Sequence, residues 1–170
     1  MKQCRRYFHA DHVHGIDDLR VFTARRGDVD AYIASEYREK IARYFEYIFD
    51  EAVQAAPGSS IPSVKLHELE EGRPVGIVGE SFTPLLVPHG PTNVYGFRVG
   101  KLGYITDGKR LPPTTLEALK GVDVLVLNAL WFGRPHPSHF NIEEAIEAAR
   151  EVGAERTYLT HLTHRVTHAE

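Results

Sequence analysis

Between residues 64 and 106 the chain is a succession of five short β-prone runs, 64–69, 75–78, 81–87, 94–99 and 102–106, each cut from the next by Gly or Pro. Runs of this length bounded by turn formers read as strands, and strands this close in sequence pair with their neighbours. The pattern then changes period. A short helix is expected over 114–120, a buried strand over 122–127, a helix over 141–152 with Ile142, Ala145, Ile146 and Ala149 on one face, and a last strand over 157–160. Ahead of the strand-rich part, 31–33 reads as a short strand. Ser35 then caps an amphipathic helix of about three to four turns through Tyr37, Ile41, Tyr44, Phe45 and Ile48. The class is α/β, and residues 1–170 read as one domain, since the Pro57 to Pro62 stretch is short enough to be a surface loop.

Polar residues fall where these strands end. His89 closes 85–87, Asp107 closes 104–106, Asn128 follows 122–127 and His161 follows 157–160, so strand ends deliver polar groups to one rim. Sheet folds build sites this way, because rigid strands fix the residues in the loops beyond them. Eight of the ten histidines are clustered to match: His9, His12 and His14 near the start, His136 and His139 in a proline-rich turn, and His161, His164 and His168 near the end, with only His67 and His89 standing alone.

Composition narrows the partners. With 20 Lys plus Arg against 23 Asp plus Glu, and a formal net charge of -3, there is no broad basic field for nucleic acid. No apolar run approaches the roughly 20 residues that span a bilayer, so no membrane role is expected. The first twelve residues lack the apolar middle of a signal peptide, and the single cysteine, Cys4, cannot form an internal disulfide. A cytoplasmic location is the expectation.

The segment Tyr7-Phe8-His9-Ala10-Asp11-His12 resembles the H-x-H-x-D-H motif of the metallo-β-lactamase superfamily, with tyrosine at the first histidine. VPHG at 87–90, YITDGK at 104–109, RPHPSHFN at 134–141 and TYLTHLTH at 157–164 extend the likeness. They resemble the branch containing phosphoribosyl cyclic phosphate phosphodiesterases and ribonuclease Z. The resemblance implies an αββα sandwich of two facing sheets with helices outside. It also implies a hydrolase that cleaves phosphodiester bonds, cyclic or nucleotide-like, with a metal-activated hydroxide.

It further implies a metal centre of one or two ions, Zn2+ or alternatively Mn2+, because imidazoles and carboxylates suit both. One ion would be held by His9, His89 and the bridging Asp107, with Tyr7 standing where a further histidine is expected. The other would be held by Asp11, His12, Asp107 and His161. A phenol is a good donor only once its proton is lost, and its ordinary pKa near 10 makes that demanding. A water or a vacancy is therefore favoured at the Tyr7 position over the phenolate.

The same resemblance assigns catalysis to Asp11, orienting the hydroxide, and to His139, donating a proton to the leaving oxygen or stabilising charge on the phosphoryl group. His136 is expected to support the site or the loop, and His67 to be structural. Lys109 and Arg110 are either solvated charges or contacts to substrate phosphate.

Relative to the family, little chain precedes the motif and none follows the last histidines by a strand's length. The N-terminal sheet is therefore expected to be incomplete, with an apolar face left for a homo-oligomer to cover. Two other readings stand beside the phosphodiesterase. One is a non-catalytic or impaired member that folds as an oligomer and binds one metal. The other is an endonuclease that processes tRNA 3′ ends.

Overall fold

The protein is described here by a computed structural model, covering residues 10–167 and 169. It divides into two compact units, Met1–Leu69 and Glu70–Glu170.

In the first unit, β1 (Val29–Ala34) and β2 (Val64–Leu69) form a parallel pair in register from Val29 opposite Val64 to Ala34 opposite Leu69. Two helices, α1 (Ala10–Val13) and α2 (Arg20–Arg26), flank a 3-10 stretch ahead of β1. The helix expected from Ser35 onward is interrupted. Ser35–Tyr37 is a 3-10 turn, α3 runs Arg38–Tyr44, and Phe45 (φ −117°, ψ 45°) breaks the helix before α4 (Glu46–Phe49). The break turns the chain at the point where the Tyr47 hydroxyl donates to Asp17 Oδ1 at 2.9 Å, a contact the apolar spacing does not encode. His67 has the structural role expected of it: its Nε2 lies 2.6 Å from Asp30 Oδ1, and its ring stacks on Tyr32.

The second unit is a six-stranded sheet in the order β3-β4-β5-β6-β7-β8. Its strands are β3 (Val75–Ile77), β4 (Glu80–His89), β5 (Thr92–Val99), β6 (Leu102–Ile105), β7 (Val124–Asn128) and β8 (Arg156–Thr160). The first four are antiparallel neighbours joined by two-residue turns, and Gly79, Gly90 and Gly100 take the positive φ that such turns require. Through α5 (Pro113–Leu119) and α6 (Ile142–Val152) the chain then adds β7 and β8 parallel to β6.

Direction follows from this pairing. Two antiparallel steps separate β4 from β6, so β4 runs the same way as β6, β7 and β8. The C-terminal ends of all four lie on one edge of the sheet.

One sheet face carries the core. Leu85, Ile105, Leu125 and Leu127 pack with Leu119 of α5 and with Ile142 and Ala145 of α6, and all are almost fully buried. Gly103 is needed in that layer, since a Cβ there would come within 2.7 Å of Leu119 Cδ2. The opposite face carries a cross-strand row of Phe97, Tyr104, Val126 and Tyr158. Tyr104 and Tyr158 in that row are exposed.

Helix α6 starts at a full capping box: the Asn141 side chain accepts from Glu144 N–H, and the Glu144 carboxylate accepts from Asn141 N–H. Gly153 ends the helix in the left-handed conformation. Glu144 also takes the Lys109 ammonium at 2.6 Å, so Lys109 is a structural cation rather than a free contact for phosphate. Burial alone would raise the Glu144 pKa, but the Lys109 ammonium and the Asn141 N–H together hold it below its ordinary value.

Two measurements check this region. Asn141→Ala should lower unfolding stability by about 1 kcal/mol in urea titrations, the usual worth of such a cap. A carboxylate whose pKa is lower folded than unfolded adds stability above the unfolded value and loses it as pH falls through the folded one. The stability gap between the wild type and Glu144→Gln should therefore be full at neutral pH, narrow below pH 4.5, and vanish in stronger acid.

Candidate metal centre

Four residues of the second unit converge at the shared strand edge. His89 is the last residue of β4, Asp107 lies two residues past β6, Asn128 ends β7, and His161 directly follows β8. The loop between β7 and α6 adds His139. Its place is set by the backbone: Phe140 N–H donates to Gly108 O at 3.0 Å, and Leu130 N–H donates to Phe140 O at 3.0 Å. Lys109 N–H donates to Pro88 O at 2.8 Å, tying the Asp107 turn to the end of β4. Gly108 makes that close approach possible, because at its φ of 147° a Cβ would lie 2.2 Å from Val87 Cγ1.

The resulting cluster is tight and buried. His89, Asp107 and His139 are each at most 6% exposed, and they offer one ligand atom apiece, all within 4.8 Å of one another. Asp107 Oδ1 lies 3.3 Å from His139 Nε2 and 3.5 Å from His161 Nε2. The His139 ring stands 4.4 Å from that of His89 and 4.8 Å from that of His161, centroid to centroid.

Tautomers can be read from partners that act only one way. The Ser138 carbonyl can only accept, so the 2.9 Å contact from His89 Nδ1 places a proton on that nitrogen and leaves Nε2 with its lone pair. His136 is half-buried beside His139, and burial, with the charges of His139 and Lys109 adding to it, lowers its pKa below the ordinary 6.5. It stays neutral at physiological pH. Trp131 belongs to the loop's own packing: its indole N–H donates to Arg134 O at 2.7 Å, and Arg165 lies over its ring.

This donor set fits a divalent cation. A carboxylate buried among imidazoles is costly unless a positive charge compensates it, and neutral nitrogens with one carboxylate are the ligand chemistry of zinc and manganese. The backbone shows a matching demand. His161 is held at φ 63°, a left-handed conformation disfavoured for a side chain of this type, and such strain gathers at functional sites. Asn128, with no exposed surface, has both amide atoms unbonded among the described residues, so a polar guest at this edge would relieve it.

The motif residues of the first unit sit on α1. Asp11 and His12 are both exposed, with Asp11 Oδ2 3.6 Å from His12 Nε2. His9 and Tyr7 lie outside the described residues. The structure thus brings together His89, Asp107, His139 and His161, and adds two groups that sequence reasoning passed over. From the sequence Asn128 is expected only as a rim residue, and Ser138 carries no expectation of its own. The Ser138 role belongs to a backbone carbonyl, which no residue type can signal.

Gly108→Ala should cost about 1–3 kcal/mol through overpacking against Val87. It should also reduce the metal retained per chain after dialysis, as measured by elemental analysis, since it displaces the turn that holds Asp107.

Residues 8–162 match the family model described as the β-lactamase superfamily domain. A diphosphatase of the PhnP family, known from its crystal structure, is 32% identical and superposes with a TM-score of 0.81 over 95% of this chain and 60% of that one. A protein of Porphyromonas gingivalis (strain ATCC BAA-308 / W83) named octanoyltransferase is 31% identical over 156 residues, which are 92% of this chain and 31% of that protein. Human tRNase Z, short form, shares the fold at a TM-score of 0.67 and 16% identity, over 93% of this chain and 70% of that one. The chain thus spans from about a third to three fifths of the length of the first two relatives. It belongs to the β-lactamase superfamily, with the metallo-β-lactamase fold of the PhnP and ribonuclease Z branch.

Proposed function

We propose that the protein is a metal-dependent hydrolase of phosphodiester bonds, acting on small cyclic or nucleotide-like substrates. The observation that carries this reading is the buried group of His89, Asp107 and His139, with His161 3.5 Å from the same carboxylate. The diphosphatase likeness supports phosphorus chemistry in particular. The octanoyltransferase name is not transferred, because only 31% of that protein aligns with this chain.

A divalent cation bound there would polarise a phosphoryl oxygen and bring the ionisation of water down toward neutrality. His89, Asp107 and His161 would hold it. The chain's own work is positional. The Ser138 carbonyl accepts from His89 Nδ1 and so fixes that ring, and Asp107 supplies the negative charge. His139 could pass a proton to the leaving oxygen only in the form protonated at Nε2, the nitrogen that faces Asp107. The nearly balanced charge argues against gripping tRNA, which leaves 3′-end processing the weaker reading.

Hydrolysis of bis(p-nitrophenyl) phosphate tests the proposal. Activity should vanish on chelation and return with Zn2+ or Mn2+. Asp107→Ala should lower kcat/KM by at least about a hundredfold, with the circular dichroism spectrum unchanged. Metal bound without any turnover would instead identify a non-catalytic member of the family.

A further inference from the structure

The loops that deliver Asp107, His139 and His161 each carry an exposed arginine: Arg110, Arg134 and Arg165. Lys109 in the same region is taken by Glu144, but these three have no carboxylate partner among the described residues. Of the three, Arg165 is held in place. Thr163 N–H and Oγ1 both donate to Leu130 O, at 3.1 and 3.2 Å, and Val166 N–H donates to Thr163 O at 3.1 Å. These bonds fasten the turn after β8 to the loop that follows β7, and the Arg165 guanidinium carbon lies 4.9 Å from the centroid of the Trp131 ring. The ring is itself pinned, since its N–H donates to Arg134 O at 2.7 Å and the Trp131 carbonyl accepts from Ile142 N–H at 2.9 Å. A cation laid over an aromatic ring is steadied there while its N–H groups stay available to an anion. Trp131 meets the His136 ring edge-on at 5.6 Å, and the His136 ring is 5.2 Å from that of His139. These steps put the guanidinium at the rim of the centre, where it meets a part of the substrate other than the phosphorus under attack.

We infer that Arg165, on its Trp131 platform, is a specificity-determining residue that binds a second phosphate of the substrate, so that nucleoside phosphodiesters carrying a further phosphate on the sugar are preferred over those without one. This rests on the phosphodiester reading of the centre and names the part of the substrate that the centre itself does not touch. A phosphate monoester carries a charge of about −1.5 to −2 at neutral pH and several acceptor oxygens, which the planar fork of a guanidinium meets two at a time. Trp131 is a positioning residue that holds the fork in place. Were Arg165 only a cover for the indole, the second phosphate would make no difference to binding or to rate.

Thymidine 5′-(p-nitrophenyl phosphate) and its 3′-phosphorylated form differ only in the second phosphate, and the full chain supplied with Zn2+ is assayed on both. The 3′-phosphorylated ester should show a kcat/KM at least about tenfold higher, with the difference in KM, and the gap should narrow as salt is added. Arg165→Gln should remove most of that preference. Arg165→Lys should restore part of it, because an ammonium keeps the charge but lacks the fork. Trp131→Leu should lower the preference less than Arg165→Gln does. A purely structural role would slow both esters alike and leave their ratio unchanged. Equilibrium binding of thymidine 3′,5′-bisphosphate against thymidine 5′-phosphate makes the same comparison without turnover, and the bisphosphate should bind at least about tenfold tighter in the wild type only. Equal treatment of the two ligands by the wild type, or an undiminished preference in Arg165→Gln, would overturn the inference. Preferential binding of the bisphosphate, lost in Arg165→Gln, with neither ester hydrolysed would uphold the phosphate subsite and overturn the phosphodiesterase reading instead.

Discussion

A buried carboxylate sets the terms for the second unit. Asp107 is 6% exposed and has imidazoles as its close neighbours. Keeping a negative charge out of water is expensive, and the protein accepts that cost only where something recovers it. The surrounding scaffold is arranged to hold that carboxylate still. Gly108 admits the turn against Val87, and backbone hydrogen bonds to Pro88 and from Phe140 fasten it on both sides.

Precision at the centre is inherited from ordinary packing elsewhere. The layer of Leu85, Ile105, Leu125 and Leu127 under α5 and α6 fixes the four parallel-running strands, and their shared direction places four polar residues on one edge. The capping box of α6 and the Lys109 ion pair to Glu144 then anchor the loop that brings in His139. Helix capping, turn glycines and core burial therefore act on the chemistry indirectly, through the angle at which each imidazole meets Asp107.

Much of this was legible in the chain itself. The five β-prone runs cut by Gly and Pro became β2 to β6, although β2 pairs with β1 rather than with β3; the Asn141 start of α6 was evident, and the polar residues at strand ends marked the rim. The interruption of the helix at Phe45 was not legible, because the apolar spacing runs straight through it and carries no sign of contacts such as that of Tyr47 with Asp17, thirty residues away. Lys109 was ambiguous for the same reason. Whether a lysine is solvated or paired depends on a partner such as Glu144, 35 residues away in sequence.

Sequence alone determined which ligand types this protein owns and the order in which strands present them, since residue identity sets donor chemistry and hydrophobic period sets the element. Tertiary structure decided which of those donors face one another and in what protonation pattern. The Ser138 carbonyl beneath His89 is a contact made by folding the chain back on itself, and a tautomer is fixed only by the partner that folding supplies.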